Sequence, residues 1–294
     1  MSGGLSSQEF AEVAAGHPVI VEEQFLGLIR EADLPDDWLA TTVDCYSTEA
    51  DYYELADYAH IQPLKTQVNE FAAYHLATTA AGAVLDVGVG DGHRLEAICS
   101  LIAERCGRRP RMFGIELSDS MIELARKRGV QVVKQDMRDG IPDVGRELDG
   151  VLFISGALGY LMDPRAGSEL RLRVLDSAYE RLRVGGKVVL ELISRDPRVA
   201  EDGADIFHFS RIPRVSDAEH AGDVIRGPET WQYIKTFTKP EFVALIESSR
   251  FELARSSISY IVRDSNDVDR IGSYVDDTEI TADESYRLMG SLVK

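Results

Sequence analysis

The stretch VLDVGVGDG, residues 84–92, decides the fold of this chain. Its apolar residues are typical of a buried parallel strand, and Asp86 lies within that strand. Gly88, Gly90 and Gly92 follow, and they remove the side chains that would keep a ligand away from the backbone. The pattern therefore predicts a strand, a ligand-binding turn and a helix, which together open an α/β fold.

The spacing of these glycines argues against a dinucleotide site. A pyrophosphate-binding fingerprint reads G-x-G-x-x-G, and counted from Gly88 its third glycine would fall on His93. In this chain the third glycine comes one place early, at Gly92, and His93 is expected to help start the helix. A nicotinamide-dependent oxidoreductase stays an alternative, although the glycine spacing and Asp86 oppose it.

Acidic positions continue the pattern along the chain. Asp86 precedes the glycines, Glu116 ends a second apolar strand at 112–115, and Asp136 follows a third strand at 130–135. This arrangement resembles the class I S-adenosylmethionine-dependent methyltransferases, whose motif I reads D-x-G-x-G-x-G. The resemblance implies that the glycine turn wraps the amino-acid half of the cofactor, that Glu116 accepts hydrogen bonds from the ribose, and that Asp136 lies near the adenine.

Later segments extend the resemblance. The fourth predicted strand, 148–155, continues into GALGYL at 156–161, which resembles motif IV of small-molecule methyltransferases. The resemblance covers residues 80–263, with an interruption at 196–236, and an aromatic segment at 45–58 is similar to the entry segment of glycine- and aminosugar-type N-methyltransferases. The cofactor-binding residues that the resemblance implies are Asp86, Gly88, Gly90, Gly92, Glu116, Leu117, Asp136, Met137, Ser155 and Tyr46.

The predicted fold is α/β, a Rossmann-like sheet of seven mostly parallel strands with helices on both faces. Residues 1–75 are predicted to form an N-terminal helical lid, and residues 76–195 together with 237–263 the cofactor-binding core. Residues 196–236 are expected to form an antiparallel cap over the substrate, because alternating stretches there are typical of strands. The polar residues 264–294 are predicted to be an acidic C-terminal appendage.

Candidate residues for the acceptor side are aromatic side chains and histidines. Tyr53 of the aromatic segment, Tyr160 of motif IV and His208 of the cap are the candidate catalytic residues. Two of them have plainer alternatives, since Tyr53, like the other tyrosines of the lid, also suits a packed core, and His208 in an extended segment also suits a position facing solvent. The candidate substrate-binding residues are Phe207, His220, Trp231 and Tyr233.

Composition limits the class of partner. A formal net charge of −18 disfavours nucleic acid, which proteins bind through clustered Lys and Arg, so a small-molecule substrate is expected. No stretch approaches the length of an apolar membrane span and the N-terminus lacks signal-peptide character, so no membrane contact and a cytoplasmic location are expected. Three cysteines without C-x-x-C spacing predict no metal site. The oligomeric state is left open, with a homodimer among the alternatives.

The resemblance implies an S-adenosylmethionine-dependent methyltransferase that acts on a small molecule and releases S-adenosylhomocysteine. N-methylation of an amine-bearing secondary metabolite is the favoured reaction. A small-molecule O-methyltransferase is the main alternative, and it would need a general base from the cap, such as His208, Asp205 or Glu229. A non-catalytic cofactor-binding module is a further alternative.

Overall fold

The computed structural model describes residues 19–20, 62–79, 82–161, 167–194, 210–215, 222–226, 231–235, 237–252, 256–263, 271–275 and 285–294. Among the predicted site residues, Tyr46, Tyr53, Phe207, His208 and His220 lie outside these ranges. For Trp231 and Tyr233 the structure describes the backbone.

The helices described are α1 (Gln62–Ala77), α2 (His93–Cys106), α3 (Asp119–Lys127), α4 (Gly167–Arg181) and α5 (Lys239–Ser248). The strands described are β1 (Val19–Ile20), β2 (Ala83–Val87), β3 (Arg111–Glu116), β4 (Gln131–Lys134), β5 (Leu148–Phe153), β6 (Leu182–Ile193), β7 (Ser210–Val215), β8 (Gly222–Arg226), β9 (Trp231–Ile234), β10 (Ser257–Arg263), β11 (Ile271–Val275) and β12 (Ser285–Val293). Short 3-10 turns span Met137–Asp139 and Ala157–Tyr160. Within these described ranges, none of the helices has the length and apolar character needed to cross a bilayer.

The main sheet has the strand order β11-β10-β12-β6-β5-β2-β3-β4. Neighbours from β4 to β6 in this order are parallel, whereas β12, β10 and β11 join by antiparallel pairing. The seven strands from β4 to β10 form the predicted, mostly parallel sheet, and β11 adds an eighth strand at its edge. The strand order reverses beside β2, and such a switch point is where open α/β sheets bind ligands.

Strand β2 shows how helices cover both faces of this sheet. All five of its residues are buried, as expected for a central parallel strand. Leu85 packs in a cluster that includes Val174 of α4 and Phe242 of α5. Val84, which points to the other face, packs in a second cluster with side chains of α1, α2 and α3. The predicted arrangement of helices on both faces is therefore confirmed.

Helix α1 crosses the predicted boundary between lid and core. Its side chains Val68, Phe71 and Leu76 are at most 1% exposed, and they pack with Ile98 of α2 against the sheet. The predicted boundary at residue 75 therefore needs correction, since the helix from residue 62 onward belongs to the core layer. The physical reason is its apolar face, which is buried only by packing on the sheet.

Strand β12 corrects the predicted appendage. Residues 285–293 lie between β6 and β10 and pair antiparallel with both strands. Leu288, Met289 and Leu292 are fully buried. The part of the predicted appendage that forms β12 is therefore an internal strand of the core.

A second sheet has the order β1-β7-β8-β9. Its strands β7, β8 and β9 are antiparallel neighbours within the predicted cap segment, and β1 pairs parallel with β7. Just after β9, the backbone N–H of Lys235 donates to the carbonyl oxygen of Gly159 at 2.8 Å. This bond joins the end of β9 to the motif IV turn, and the role of the sheet as a cap stays a prediction.

Candidate active site

The ends of four parallel strands bring predicted cofactor residues to one edge of the sheet. The glycine turn follows β2, Glu116 ends β3, Asp136 follows β4 and Ser155 follows β5. Parallel neighbours present their carboxyl ends at the same edge, and this edge includes the switch point beside β2. These residues therefore lie in one row, at the carboxyl ends of the neighbouring strands β5, β2, β3 and β4.

The glycine turn requires glycine for two different reasons. Gly88, Gly90 and Gly92 have φ angles of +72°, +54° and +80°, a region that residues with a Cβ atom rarely adopt. A Cβ atom at Gly92 would lie 3.1 Å from Cα of Ala125 in α3, whereas a Cβ atom at Gly90 would meet nothing within 4 Å. Gly92 therefore allows close packing of the turn, and Gly90 leaves the backbone open to a ligand.

Glu116 is held by backbone donors from both sides. The Gly90 N–H donates to its Oε2 at 3.0 Å, and the N–H groups of Leu117 and Ser118 donate to its Oε1 at 2.7 and 3.0 Å. An ionised carboxylate accepts about four hydrogen bonds. One acceptor position of Glu116 therefore remains for a ligand hydroxyl without loss of a backbone bond.

Asp136 has a structural task at the end of β4. Its carboxylate accepts from the backbone N–H of Arg138 at 2.8 Å and from Nε of the same residue at 2.7 Å. It thereby caps the 3-10 turn that begins with Met137. Met137 is half-buried and packs against the main core cluster, so this segment joins a capped polar group to an apolar neighbour.

Asp86 is buried in β2 and only 2% exposed. Its Oδ1 atom has no hydrogen-bond partner among the described residues. Burial raises the pKa of Asp86 well above its ordinary value, and the Arg94 guanidinium opposes this effect only in part. The site therefore contains a buried carboxyl group, one oxygen of which is unsatisfied, shortly before the glycine turn.

A buried ionic network lies beside the turn, and the sequence patterns did not reveal it. Arg94 of α2 donates to Glu191 of β6 at 3.1 Å, and Arg287 of β12 donates to the other Glu191 oxygen at 3.2 Å. The Ser155 N–H also donates to Glu191, at 2.7 Å. Burial raises the pKa of Glu191, but the two guanidinium groups and the Ser155 N–H together hold it below its ordinary value. Glu191 is therefore a buried carboxylate shared by three donors.

Ser155 is the turning point of motif IV. Its φ is +57°, the left-handed region, and Gly156 follows with φ +72°. Non-glycine residues in this region concentrate at functional sites, where the surrounding structure holds them. Here the Ser155 N–H donates to the Glu191 carboxylate, and the Ser155 hydroxyl accepts from Arg94 at 2.6 Å.

A buried arginine of α4 holds the 3-10 turn Ala157–Tyr160 by hydrogen bonds. Arg171 of α4 is 2% exposed and donates to the carbonyl oxygens of Leu158 and Leu161. Tyr160 is half-buried at the end of this turn. Arg171 therefore ties the chain on both sides of Tyr160, at Leu158 and Leu161, to α4.

One sequence signal could have revealed the ionic network. Glu191 interrupts the apolar run of β6, and a carboxylate in a buried strand requires partners of opposite charge. Which partners it has is set by long-range pairing, because Arg94 and Arg287 come from α2 and β12. No local pattern specifies that meeting.

A family model for a methyltransferase domain matches residues 84–186. The matched segment begins in β2 and ends within β6, and it contains the glycine turn, Glu116 and Ser155. No curated protein sequence matches the chain significantly.

Solved structures with a similar fold include the DhpI–SAM–HEP complex, with a TM-score of 0.53 and 16% identity, covering 88% of this chain and 99% of that one. An S-adenosylmethionine-dependent methyltransferase from Clostridium acetobutylicum has a TM-score of 0.50 and 13% identity, covering 85% and 98%. SAM-bound CalS10, an amino pentose methyltransferase from Micromonospora echinaspora, has a TM-score of 0.48 and 19% identity, covering 84% and 96%. Residues 84–186 therefore match a methyltransferase domain, and the chain has the fold of solved S-adenosylmethionine-dependent methyltransferases, as the sequence predicted.

Proposed function

We propose that this chain transfers the methyl group of S-adenosylmethionine to a nitrogen atom of a small molecule. The observation that carries the proposal is the glycine turn, whose backbone faces open space at Gly90. Buried, unsatisfied polar atoms of Asp86 and Arg94 accompany this turn. A turn of this kind, at the carboxyl edge of a parallel sheet, is suited to a zwitterionic ligand.

The residues present fit the amino-acid end of S-adenosylmethionine. That end carries an ammonium group, which needs acceptors, and a carboxylate, which needs donors. Asp86 offers an unsatisfied Oδ1 and Arg94 an unsatisfied Nη2 in the part of the chain that the structure describes. Since a buried polar atom without a partner is destabilising, a ligand that supplies both partners binds favourably.

The remaining cofactor residues follow the row of strand ends. Glu116 would hold one ribose hydroxyl with the acceptor position that its backbone bonds leave open. Asp136 and Met137 would border the adenine, the first as a polar and the second as an apolar neighbour. The roles of Asp136 and Met137, and the assignment of Leu117 to the cofactor site, come from the resemblance and stay proposals.

When bound, S-adenosylmethionine supplies an electrophilic methyl group on a sulfonium sulfur. The chain's own task is to align an acceptor with that methyl group and to exclude water from it. Alignment of this kind raises the rate by effective concentration. Ser155 and Tyr160 lie at the strand end where the resemblance places the acceptor, and the ionic network and Arg171 hold both in place.

The composition of motif IV supports nitrogen as the accepting atom. The segment 155–161 reads SGALGYL and contains no His, Asp or Glu. A hydroxyl acceptor needs a general base, whereas a neutral amine carries its own lone pair and needs mainly positioning. An O-methyltransferase would take its base from the insertion, where His208, Asp205 and Glu229 are the candidates.

Residues of the insertion are proposed to contact the acceptor. The bond from Lys235 N–H to Gly159 supports this, because it brings the end of β9 to the motif IV turn. Trp231 and Tyr233 belong to β9, and Phe207, His208 and His220 belong to the same insertion. Tyr46 and Tyr53 are proposed to close over the cofactor from the N-terminal side.

Methyl transfer from radiolabelled S-adenosylmethionine tests this function. Purified protein is incubated with a panel of amines, each paired with the alcohol or phenol of the same carbon skeleton. We expect label in the amines and little in their hydroxyl partners. Label that appears only in the hydroxyl compounds would establish an O-methyltransferase, and cofactor binding without transfer to any acceptor would favour a non-catalytic module.

A further inference from the structure

Arg94 connects three elements through a single guanidinium group. Its Nε donates to Oδ1 of Asn69 on α1 at 3.3 Å, and its Nη1 donates to the Ser155 hydroxyl at 2.6 Å and to Glu191 at 3.1 Å. The side chain is only 14% exposed. Its orientation is therefore fixed from several sides by groups that are far apart in sequence.

One nitrogen of this guanidinium is left over. Nη2 of Arg94 is buried and has no hydrogen-bond partner among the described residues. The Oδ1 atom of Asp86 is in the same situation, and the two residues flank the glycine turn in sequence. A buried charged donor without a partner is destabilising. The unpartnered Nη2 atom therefore points to a bound ligand as its partner.

Glu191 determines where Arg94 points. One of its oxygens accepts both Arg94 Nη1 and the Ser155 N–H, and the other accepts Arg287. Because Arg287 shares this carboxylate, Glu191 is not a counter-ion for Arg94 alone. Nearby Lys65 adds positive charge, and its pKa is lowered by burial and by the Arg94 guanidinium. These groups favour an anionic ligand atom at Arg94.

We propose that Arg94 binds the carboxylate of the cofactor's amino-acid end through Nη2 and that Glu191 is the positioning residue that aims it. This inference rests on the proposed function. It also gives Glu191 a second effect, because the same carboxylate oxygen holds Arg94 on the cofactor side and Ser155 at the motif IV turn. The Glu191 carboxylate thereby positions both Arg94 on the cofactor side and Ser155 on the acceptor side of the site.

The test compares two ligands that differ in the amino-acid end, whose carboxylate Arg94 would bind. S-adenosylhomocysteine carries the amino-acid end, and 5′-methylthioadenosine has the same adenosine and thioether without it. Calorimetric titration measures both ligands with the wild type, Glu191→Gln and Arg94→Lys. Glutamine keeps an acceptor oxygen but removes the charge. Lysine keeps the charge but has a single nitrogen, which cannot replace the separate Nε, Nη1 and Nη2 donors of the guanidinium. We expect both variants to weaken S-adenosylhomocysteine binding about tenfold or more and to leave 5′-methylthioadenosine within about twofold.

Asp149→Asn is the matched control. Asp149 is a largely buried carboxylate that pairs with Arg183 and accepts the N–H groups of Gly82 and Ala83, at the opposite edge of the sheet. We expect this variant to change the two affinities equally or not at all. A thermal melt accompanies each variant, and if Glu191→Gln does not fold, Arg94→Lys, on a less buried side chain, still decides the result.

The outcomes separate this inference from the proposed function. If the Glu191 and Arg94 variants lose affinity for both ligands in equal measure, the network is only structural and the inference is overturned. If their affinities match the wild type, the inference is equally overturned. If the wild type binds neither ligand, the proposed function itself fails, and the carboxylate assignment fails with it.

Discussion

Gly90 donates its backbone N–H to the Glu116 carboxylate at 3.0 Å, which ties the glycine turn after β2 to the end of β3. The same carboxylate accepts from Ser118, and the Ser118 side chain accepts from the Met121 N–H at the start of α3. The turn, the strand end and the helix start are therefore held as one unit before any ligand binds. Such preorganisation lowers the entropic cost of binding.

Replacing Glu116 with alanine tests the cofactor side of the site. The Glu116→Ala variant leaves three backbone N–H groups without their acceptor and removes the proposed ribose contact. We expect S-adenosylhomocysteine to bind at least ~1.5 kcal/mol more weakly, measured by calorimetry. Glu123→Ala changes an exposed glutamate of α3 and should leave the affinity unaltered. Equal affinities for the two variants would exclude Glu116 from cofactor binding.

A comparison of alanine substitutions at Gly92 and Gly145 separates backbone strain from steric crowding. Both have φ near +75°, at +80° and +74°, but a Cβ atom at Gly92 would lie 3.1 Å from Cα of Ala125, whereas at Gly145 it would meet nothing. Gly145→Ala is expected to lower the free energy of unfolding by about 1–2 kcal/mol through strain alone. Gly92→Ala should lose clearly more in urea unfolding, and a loss equal to that of Gly145→Ala would show that the turn can relax away from α3.

The pH dependence of stability tests the environment of Asp86. The folded state raises the pKa of Asp86 above its ordinary value of 3.8, so between the two values the folded state binds more protons than the unfolded state. The free energy of unfolding therefore falls as the pH rises through this range, and Asp86→Asn removes that fall. Urea unfolding at a series of pH values rising from 3.8 should give a flatter profile for Asp86→Asn than for the wild type. The exposed control Asp139→Asn should follow the wild type, and parallel profiles for all three proteins would disprove the assignment.

Leu292 tests the place of the C-terminal strand. It is fully buried within β12, and its neighbour Val293 is only partly buried. Leu292→Ala is expected to lower the free energy of unfolding by about 2–4 kcal/mol, and Val293→Ala by less. Chemical denaturation measures both variants. An appendage outside the core would instead give values near zero for both.

Trp231 tests whether the insertion acts on the acceptor. We expect Trp231→Ala to keep its affinity for S-adenosylhomocysteine within about twofold and to lose most methyl transfer, because aromatic anchors carry much of the contact energy in binding sites. Tyr74→Ala, which changes an exposed aromatic residue of α1, should leave both measurements unaltered. If the Trp231→Ala variant transfers methyl groups at the wild-type rate, Trp231 of β9 does not contribute to acceptor binding.

Local signals predicted which residues meet at the carboxyl edge of the sheet. The apolar strand, the glycines at 88, 90 and 92, and the acidic strand ends are each readable within a few residues of sequence, and the structure aligns them at one edge. The parallel sheet followed from the same pattern, because its strands alternate with helices. These features depend on residues that are close together in sequence, so a local sequence pattern can predict them.

Features that depend on distant pairing were missed. β12 contains Ser285, Gly290 and Ser291 among its apolar residues and follows a polar segment, so its pattern did not indicate an internal strand. Its position between β6 and β10 is set by antiparallel pairing with both strands. The network at Glu191 was missed for the same reason, since its arginines come from α2 and β12.

The most direct test of the central claim is calorimetric titration of the purified protein with S-adenosylhomocysteine, S-adenosylmethionine and NADH in parallel. The proposed site predicts micromolar binding of the first two and none of NADH, because the glycine turn suits an amino-acid end rather than a pyrophosphate. Binding of NADH alone would contradict the proposed function. Absence of binding for all three ligands would equally contradict it, since the turn would then have no cofactor to hold.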